Sequence, residues 1–383
     1  MSETSKNAKG NRLTLQLIIL VAFIAAGVVL VLLSQQQQAT TSNSSSSSAL
    51  PSTTTTSTTT TLTSSQSRYR LIRVANPILT VDDFSQDPSA RWTLLKDAHW
   101  DSQNHTLILA YPRFNTTGVL WLKKNTTQPF TAEFSYYVGG GNSGNGFVFM
   151  FYKEGNYDPG AGRYLGFTCR PDERPCPTKD APGYGLEWKT LYNVGGDWVN
   201  DPSPSYIGFI KDNVSHHLAY VNITIREQWH RAKVVVKQDA LQVYVDQKLV
   251  LTWEAGKLGT YENGKVLSLE GSFNRTFSRL GFGASSYVHY DWHIIKDVKI
   301  YGNNLTINGL QPRWTVELRN GTQQISRTTV PEGNSQVSLD TSGLEMPLRA
   351  HLVIRDETGQ TVFETSDAQE IWGGDALRLE ASP

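Results

Sequence analysis

The sequence predicts an all-β protein: a large antiparallel sandwich, then a smaller one, set behind a single membrane helix and a disordered polar linker. Three observations carry this. From Trp92 onward no stretch keeps apolar residues at helical spacing for three turns, whereas two-residue alternation recurs throughout. Short Gly, Asn and Asp groups such as Asn145-Gly146, Asn320-Gly321 and the Asp356–Gly359 stretch punctuate the alternating runs. The first 67 residues, by contrast, are one apolar run and one polar tract.

Leu13 to Leu33 is nearly unbroken apolar sequence, with only Thr14 and Gln16 interrupting, and at about 1.5 Å per residue it spans a bilayer of roughly 30 Å. Lys6, Lys9 and Arg12 precede it, and no Lys or Arg comes after it until Arg68. The positive-inside rule therefore puts residues 1–12 in the cytoplasm and all later residues outside, anchored at the cell membrane by one pass. A cleaved signal peptide is the alternative, although its apolar core is usually only about 7 to 15 residues. Lys9-Gly10 resembles archaeal pilin-type signals, while Asn11-Arg12 fits poorly with the residues just after such a cleavage site.

Residues 34–67, almost wholly Gln, Ser and Thr, lack the apolar side chains that offset ordering entropy and are expected to form a disordered stalk. Nine Asn-x-Ser/Thr sequons, at Asn43, Asn104, Asn115, Asn125, Asn213, Asn222, Asn274, Asn304 and Asn320, all lie beyond the apolar run, in agreement with an outward-facing glycoprotein. Net charge is zero over 383 residues, with no basic block beyond the N-terminal one, so nucleic acid is not an expected partner. The only cysteines, Cys169 and Cys176, flank RPDERP without the second Cys/His pair that zinc requires; a disulfide closing a short loop is expected, with two free thiols as the alternative.

The first sandwich is expected over residues 68–302. FTAEFSYYV (130–138) and GFVFMFY (146–152) read as strands joined by a Gly/Asn-rich turn, and the second is apolar on both faces, as a central strand would be. Residues 232–237, 241–245 and 249–253 read as a tight meander. From 303 to 383, WTVEL, QVSL, AHLVI, TVFE and ALRL are enough for a second β-sandwich, nearest to an immunoglobulin-like or carboxypeptidase-regulatory-like module.

Four segments in order resemble the L-type lectins, the family of concanavalin A and the legume lectins: GVLWLKK (118–124), GNGFVFMFY (144–152), GYGLEWKTLYNVGGDWVNDPSPSYIGFI (183–210), and RLGFGASS (279–286) with the YDWHIIKDVKIY stretch after it. The resemblance covers about residues 80 to 302 and implies a concanavalin A-like jelly-roll sandwich. Such sandwiches host lectins, glycoside hydrolases and structural domains alike, so function is argued separately from fold.

In that family, Glu, two Asp, Asn and His of the third segment hold calcium and a transition metal beside the sugar pocket. By resemblance Glu187, Asn193 and Asp201 stand at family positions, while Lys189 replaces the first Asp and Tyr206 the His. On a strand, Glu187 and Lys189 share a face. An ammonium between Glu187 and Asp201 would put positive charge where the family has metal, so Lys189 with Tyr206 is expected to substitute for the ion and no metal is expected. Calcium alone, on Glu187, Asn193, Asp197 and Asp201 with Asn200 nearby, is one alternative, since hard cations take six to eight oxygens. An ordinary surface loop with an incidental lysine is the other.

For the sugar, the resemblance implies Asn145 in place of the family Asp, Asn193 in place of the Asn, and the loop GAGRYLGF (160–167), with Gly162 and Arg163, in place of the glycine loop. Leu191 falls where an aromatic usually stands, with Tyr192 beside it. An amide still donates and accepts to hydroxyls, without the charge-assisted strength of a carboxylate. Equally, Asn145-Gly146 is a hairpin turn signal that needs no ligand. Trp188, Trp198, Trp229, Trp253 and Trp292 read as packing more readily than as stacking platforms. His216-His217 and the His289, Asp291, His293 alternation look metal-like, the latter reading more simply as a solvated strand face.

Catalysis is not expected. The Glu-x-Asp-x-x-Glu carboxylates of retaining glycosidases are missing, as are Gly-x-Ser-x-Gly, His-Glu-x-x-His and phosphate-loop motifs. The expected function is recognition of glycans or surface glycoproteins in adhesion or at the envelope. A structural envelope or filament subunit that associates with itself is the alternative, and a glycosidase a distant third.

Overall fold

A computed structural model describes residues 61–62, 68–75, 78–169, 181–193, 201–261 and 264–382. The tail, the expected membrane helix, Asn43, Cys176, Asp197, Trp198 and Asn200 lie outside these residues. Among the described residues no helix is long and apolar enough to cross a membrane, and the only helical turns are two short 3-10 turns, Pro88–Ala90 and Gly162–Tyr164.

Two sheets face each other to make the large sandwich. One runs, in spatial order, through Gly259–Tyr261, Gly264–Val266, Asn213–Asn222, Tyr206–Lys211, Tyr184–Lys189, Gly146–Lys153, Arg279–Ser286, Thr116–Leu122 and Trp92–Lys96. Its partner is centred on Phe130–Gly139, with Trp229–Val236 on one side and Trp292–Gly302 on the other. The meander expected from sequence is present: Trp229–Val236, Ala240–Val245 and Lys248–Glu254 pair in turn, all antiparallel. Between the sheets lies an aromatic core in which Phe134, Phe147, Phe149, Trp188 and Phe282 are sealed from solvent.

The strand Gly146–Lys153 is buried at every position. Phe147, Phe149 and Phe151 face the inter-sheet core. Val148 and Met150 face outward into a second apolar cluster with Tyr164, Leu165 and Phe167, so the segment that carries the predicted glycine loop folds back over the outer face of this sheet. That cover explains a strand apolar on both faces.

The second sandwich has its own core, including Leu305, Val316, Leu352, Ile354 and Leu377. Strand Tyr69–Ala75 pairs with Ala376–Ala381, so residues read from sequence as the start of the first sandwich complete a sheet of the second. Thr61 and Leu62, in the stretch expected to be disordered, pair with Ile72 and Leu71. Asn303, buried, joins the two cores: its Oδ1 accepts from Thr131 Oγ1 at 2.7 Å, its Nδ2 donates to the Val236 carbonyl at 2.9 Å, and its carbonyl accepts from the Thr341 amide at 2.7 Å. The described sequons, from Asn104 to Asn320, occupy exposed positions, with Asn213 half-buried.

Candidate functional site

The strand Tyr184–Lys189 lies between Gly146–Lys153 and Tyr206–Lys211, with Glu187 opposite Val148 and Gly208, and Lys189 opposite Gly146 and Tyr206. Because Val148 faces outward, Glu187, Lys189 and Tyr206 project from that same outer face. Gly208 is required there: a Cβ would come within 2.9 Å of Glu187 Oε1 and 2.7 Å of the Tyr206 ring.

These side chains form a closed polar cluster. The Tyr206 hydroxyl lies 2.7 Å from Glu187 Oε1, 2.9 Å from Asp201 Oδ1 and 3.0 Å from His217 Nε2, which is itself 2.6 Å from Glu187 Oε1. A phenol has one hydrogen, so it donates to one carboxylate at a time, while His217 with its hydrogen on Nε2 donates to Glu187. Lys189 Nζ stands 3.3 Å from Asp201 Oδ2, with both side chains closed to solvent. Burial first, and the neighbouring Glu187 and Asp201 carboxylates second, push the Tyr206 phenol well above its usual range, so it remains a neutral donor.

Asp201 transmits this cluster to the surface loop. Its Oδ2 accepts from the Asn193 amide at 2.7 Å and from Asn193 Nδ2 at 3.2 Å; Asn193 Nδ2 also donates to Asn145 Oδ1 at 3.2 Å. Asn145 and Asn193, far apart in sequence, therefore meet as the resemblance implies. Gly162 joins them: at φ +63°, its missing Cβ would stand 4.0 Å from Asn145 Nδ2 and 3.3 Å from Tyr287 Cβ. Arg163 is half-buried with its guanidinium over its neighbour Tyr164 at 5.7 Å, and Tyr192 is 46% exposed. Tyr287, which sequence reading did not single out, is also exposed and packs its ring 4.8 Å from that of Phe114.

Asp291 and His293 do not form the solvated face expected of them. Both are fully buried. Asp291 accepts from the Gly141 and Gly144 amides at 3.0 and 2.8 Å and is clamped by Arg226 Nε and Nη2 at 2.9 and 2.8 Å, which fixes the glycine-rich turn leading into Asn145. His293 has no hydrogen-bond partner on either ring nitrogen among the described residues. Burial pushes its imidazole down to about 4, with Asp291 opposing and Arg226 adding to the shift. Trp188 and Trp253 are core residues, Trp188 stacking on Phe147 at 4.7 Å, whereas Trp229 is exposed.

A resident metal does not fit these residues. Among the described residues no group of three or more His, Cys, Asp or Glu side chains is disposed to hold an ion. Of the oxygens that resemblance would offer, Glu187 Oε1 is taken by Tyr206 and His217, and both Asp201 oxygens by Tyr206, Asn193 and the Lys189 ammonium; Glu187 Oε2 alone is left without a hydrogen-bond partner among the described residues, too few for a cation that takes six to eight. A dication would also meet the Lys189 charge where both it and Asp201 are closed to solvent. Cys169 is disulfide-bonded, and its expected partner lies outside the described residues.

No family model matches the sequence, and no curated protein does. Solved structures similar to this chain include the exoplasmic/lumenal domain of VIP36 in its Ca2+/Man3GlcNAc-bound form, at 17% identity over 56% of this chain and 86% of that one, with a TM-score of 0.41. The carbohydrate recognition domain of Emp46p in its metal-free form is similar at 17% identity, over 59% of this chain and 94% of that one, with a TM-score of 0.38. That of Emp47p is similar at 16% identity, over 57% and 93%, with a TM-score of 0.39.

Proposed function

We propose that the large sandwich is a carbohydrate-recognition domain that works without metal, with the Lys189–Asp201 ion pair in place of the ion. The observation that carries this is the chain of contacts from the buried ammonium through Asp201 to Asn193 and Asn145. It fixes the half-buried Asn193 amide against the buried Asn145 amide in the way a bound cation would, by holding the carboxylate that orders the loop. Gly162, Arg163 and Tyr192 complete the rim, and the amides give donors and acceptors for sugar hydroxyls. The domain acts outside the cell on glycans or glycoproteins in adhesion or envelope recognition, tethered by the helix at 13–33 and held off the membrane by the stalk. In this reading Cys169 pairs with Cys176.

Asn145 Oδ1 bonded to Asn193 Nδ2 also favours a second reading, in which the two amides satisfy each other and the sandwich is a self-associating structural subunit. A glycan array on the purified protein, with and without chelator, separates the two. Binding that survives chelator and is lost in Asn145→Ala supports recognition; absence of any binding, together with self-assembly in solution, supports the subunit.

A further inference from the structure

The small sandwich carries a charge arrangement unrelated to the site above. Glu317, on strand Thr315–Asn320, faces away from the core that contains its neighbours Val316 and Leu318. Across the outer face it stands opposite Arg327 on one neighbouring strand and Val353 on the other, with Arg319 and Arg355 two residues away along their strands. The carboxylate is nearly closed to solvent and has three guanidinium groups around it: Arg319 donates to Oε2 from Nε at 2.9 Å and from Nη2 at 2.5 Å, while Arg327 Nε and Arg355 Nε approach Oε1 at 3.6 and 3.8 Å.

One carboxylate cannot satisfy three guanidiniums. Each carries five donors in a planar fork, and Arg327 and Arg355 stand beyond hydrogen-bonding distance of Glu317. Arg355 Nη1 is held by Thr361 Oγ1 and the Gly359 carbonyl. Glu364, opposite Val353, and Glu370, opposite Arg349, are further acids of this face, the second beside an arginine of its own. Glu317 thus orients Arg319 directly, draws Arg327 and Arg355 toward it by charge, and leaves a cationic surplus around it on the sheet surface.

We propose that this face is a second ligand site, in which Arg319, Arg327 and Arg355 bind an oxyanion group of an acidic polysaccharide. Planar guanidinium forks match a sulfate ester or a uronate bidentately, and those of Arg327 and Arg355 are not hydrogen-bonded to Glu317. The polymer is chosen over nucleic acid or cytosolic phosphate because the charge-based topology, on which this choice of partner rests, puts the domain outside the cell.

The test is binding of a heparin-derived oligosaccharide to the purified protein, beside its desulfated counterpart, neutral dextran and anionic phospholipid vesicles. The oligosaccharide is expected to bind with affinity that falls as salt rises, with a log–log slope of about 2. Arg327→Gln/Arg355→Gln should lower that affinity at least about tenfold in protein that is still folded, and Arg327→Lys should keep part of it. Loss of binding on desulfation assigns sulfate as the recognised group; equal binding of both probes, lost in the double variant, assigns the uronate. Wild-type affinity in the double variant, no preference over dextran, or tighter binding to vesicles overturns the proposal. Should the double variant misfold, Arg327→Gln alone decides, because that side chain is 54% exposed. Glycan binding at Asn145 is read separately, since Asn145→Ala leaves this face intact.

Discussion

Lys189 Nζ lies 3.3 Å from Asp201 Oδ2, and neither side chain touches solvent. A long ammonium side chain is buried this deeply only when paired, and here its partner is the acid that also anchors Asn193. Removing the amine should therefore do more than remove a contact. Lys189→Met is expected to leave Asp201 buried and uncompensated and to cost about 3–5 kcal/mol. Chemical denaturation of the variant checks this; a cost below about 1 kcal/mol, the range of exposed pairs, would mark the lysine as incidental.

Tyr206 joins both carboxylates to His217. Tyr206→Phe keeps the ring and removes the only group common to all three, so a loss of about 1–3 kcal/mol is expected from the acceptors left unpaired. Because Gly208 is packed against the ring, the cavity term is small. Thermal unfolding of the Phe variant at pH 7 measures the change.

The pH dependence of stability should carry the mark of His293. Its folded value is depressed to about 4, against about 6.5 in the unfolded chain, so below pH 6.5 the unfolded state takes up a proton that the folded state refuses. Its contribution is complete above pH 6.5 and is lost as pH falls toward 4, about 2 kcal/mol between pH 7 and pH 5. His293→Leu should flatten that part of the stability profile in urea titrations run across this range.

Asp291 holds the glycine-rich turn in place for Asn145. Asp291→Ala removes the acceptor of two loop amides and the bidentate partner of Arg226, leaving it Glu227, so any glycan binding should fall at least about tenfold, with a stability cost of about 2–4 kcal/mol. Arg226→Lys, which keeps the charge without the two-pronged fit, should fall between wild type and Asp291→Ala on both readings.

Much of this site was legible in the sequence. Alternation on one strand put Glu187 and Lys189 on one face, and the segment's resemblance to L-type lectins put Asn193, Asp201 and Asn145 together. His217 was noticed only as one of a histidine pair, and its place in this cluster was not legible, for a geometric reason. Strict alternation places it with Ala219 and Val221, facing the inter-sheet core. A bulge in the pairing shifts the register so that Phe209 meets Ala219 while Ile210 meets His217, and the imidazole turns to the outer face where Glu187 waits. Asp291 and His293 were misread as solvated because nothing local shows that the turn at 139–145 folds down onto them. The pairing of Tyr69–Ala75 with the C-terminal strand is likewise a contact across more than 300 residues, which alternation cannot announce.

The most direct test of a lysine standing in for an ion is elemental analysis of the purified protein, paired with unfolding temperatures before and after exhaustive chelation. Metal-free protein with an unchanged unfolding temperature is the predicted result. Stoichiometric calcium, manganese or zinc, with a lower unfolding temperature once it is stripped, would contradict it.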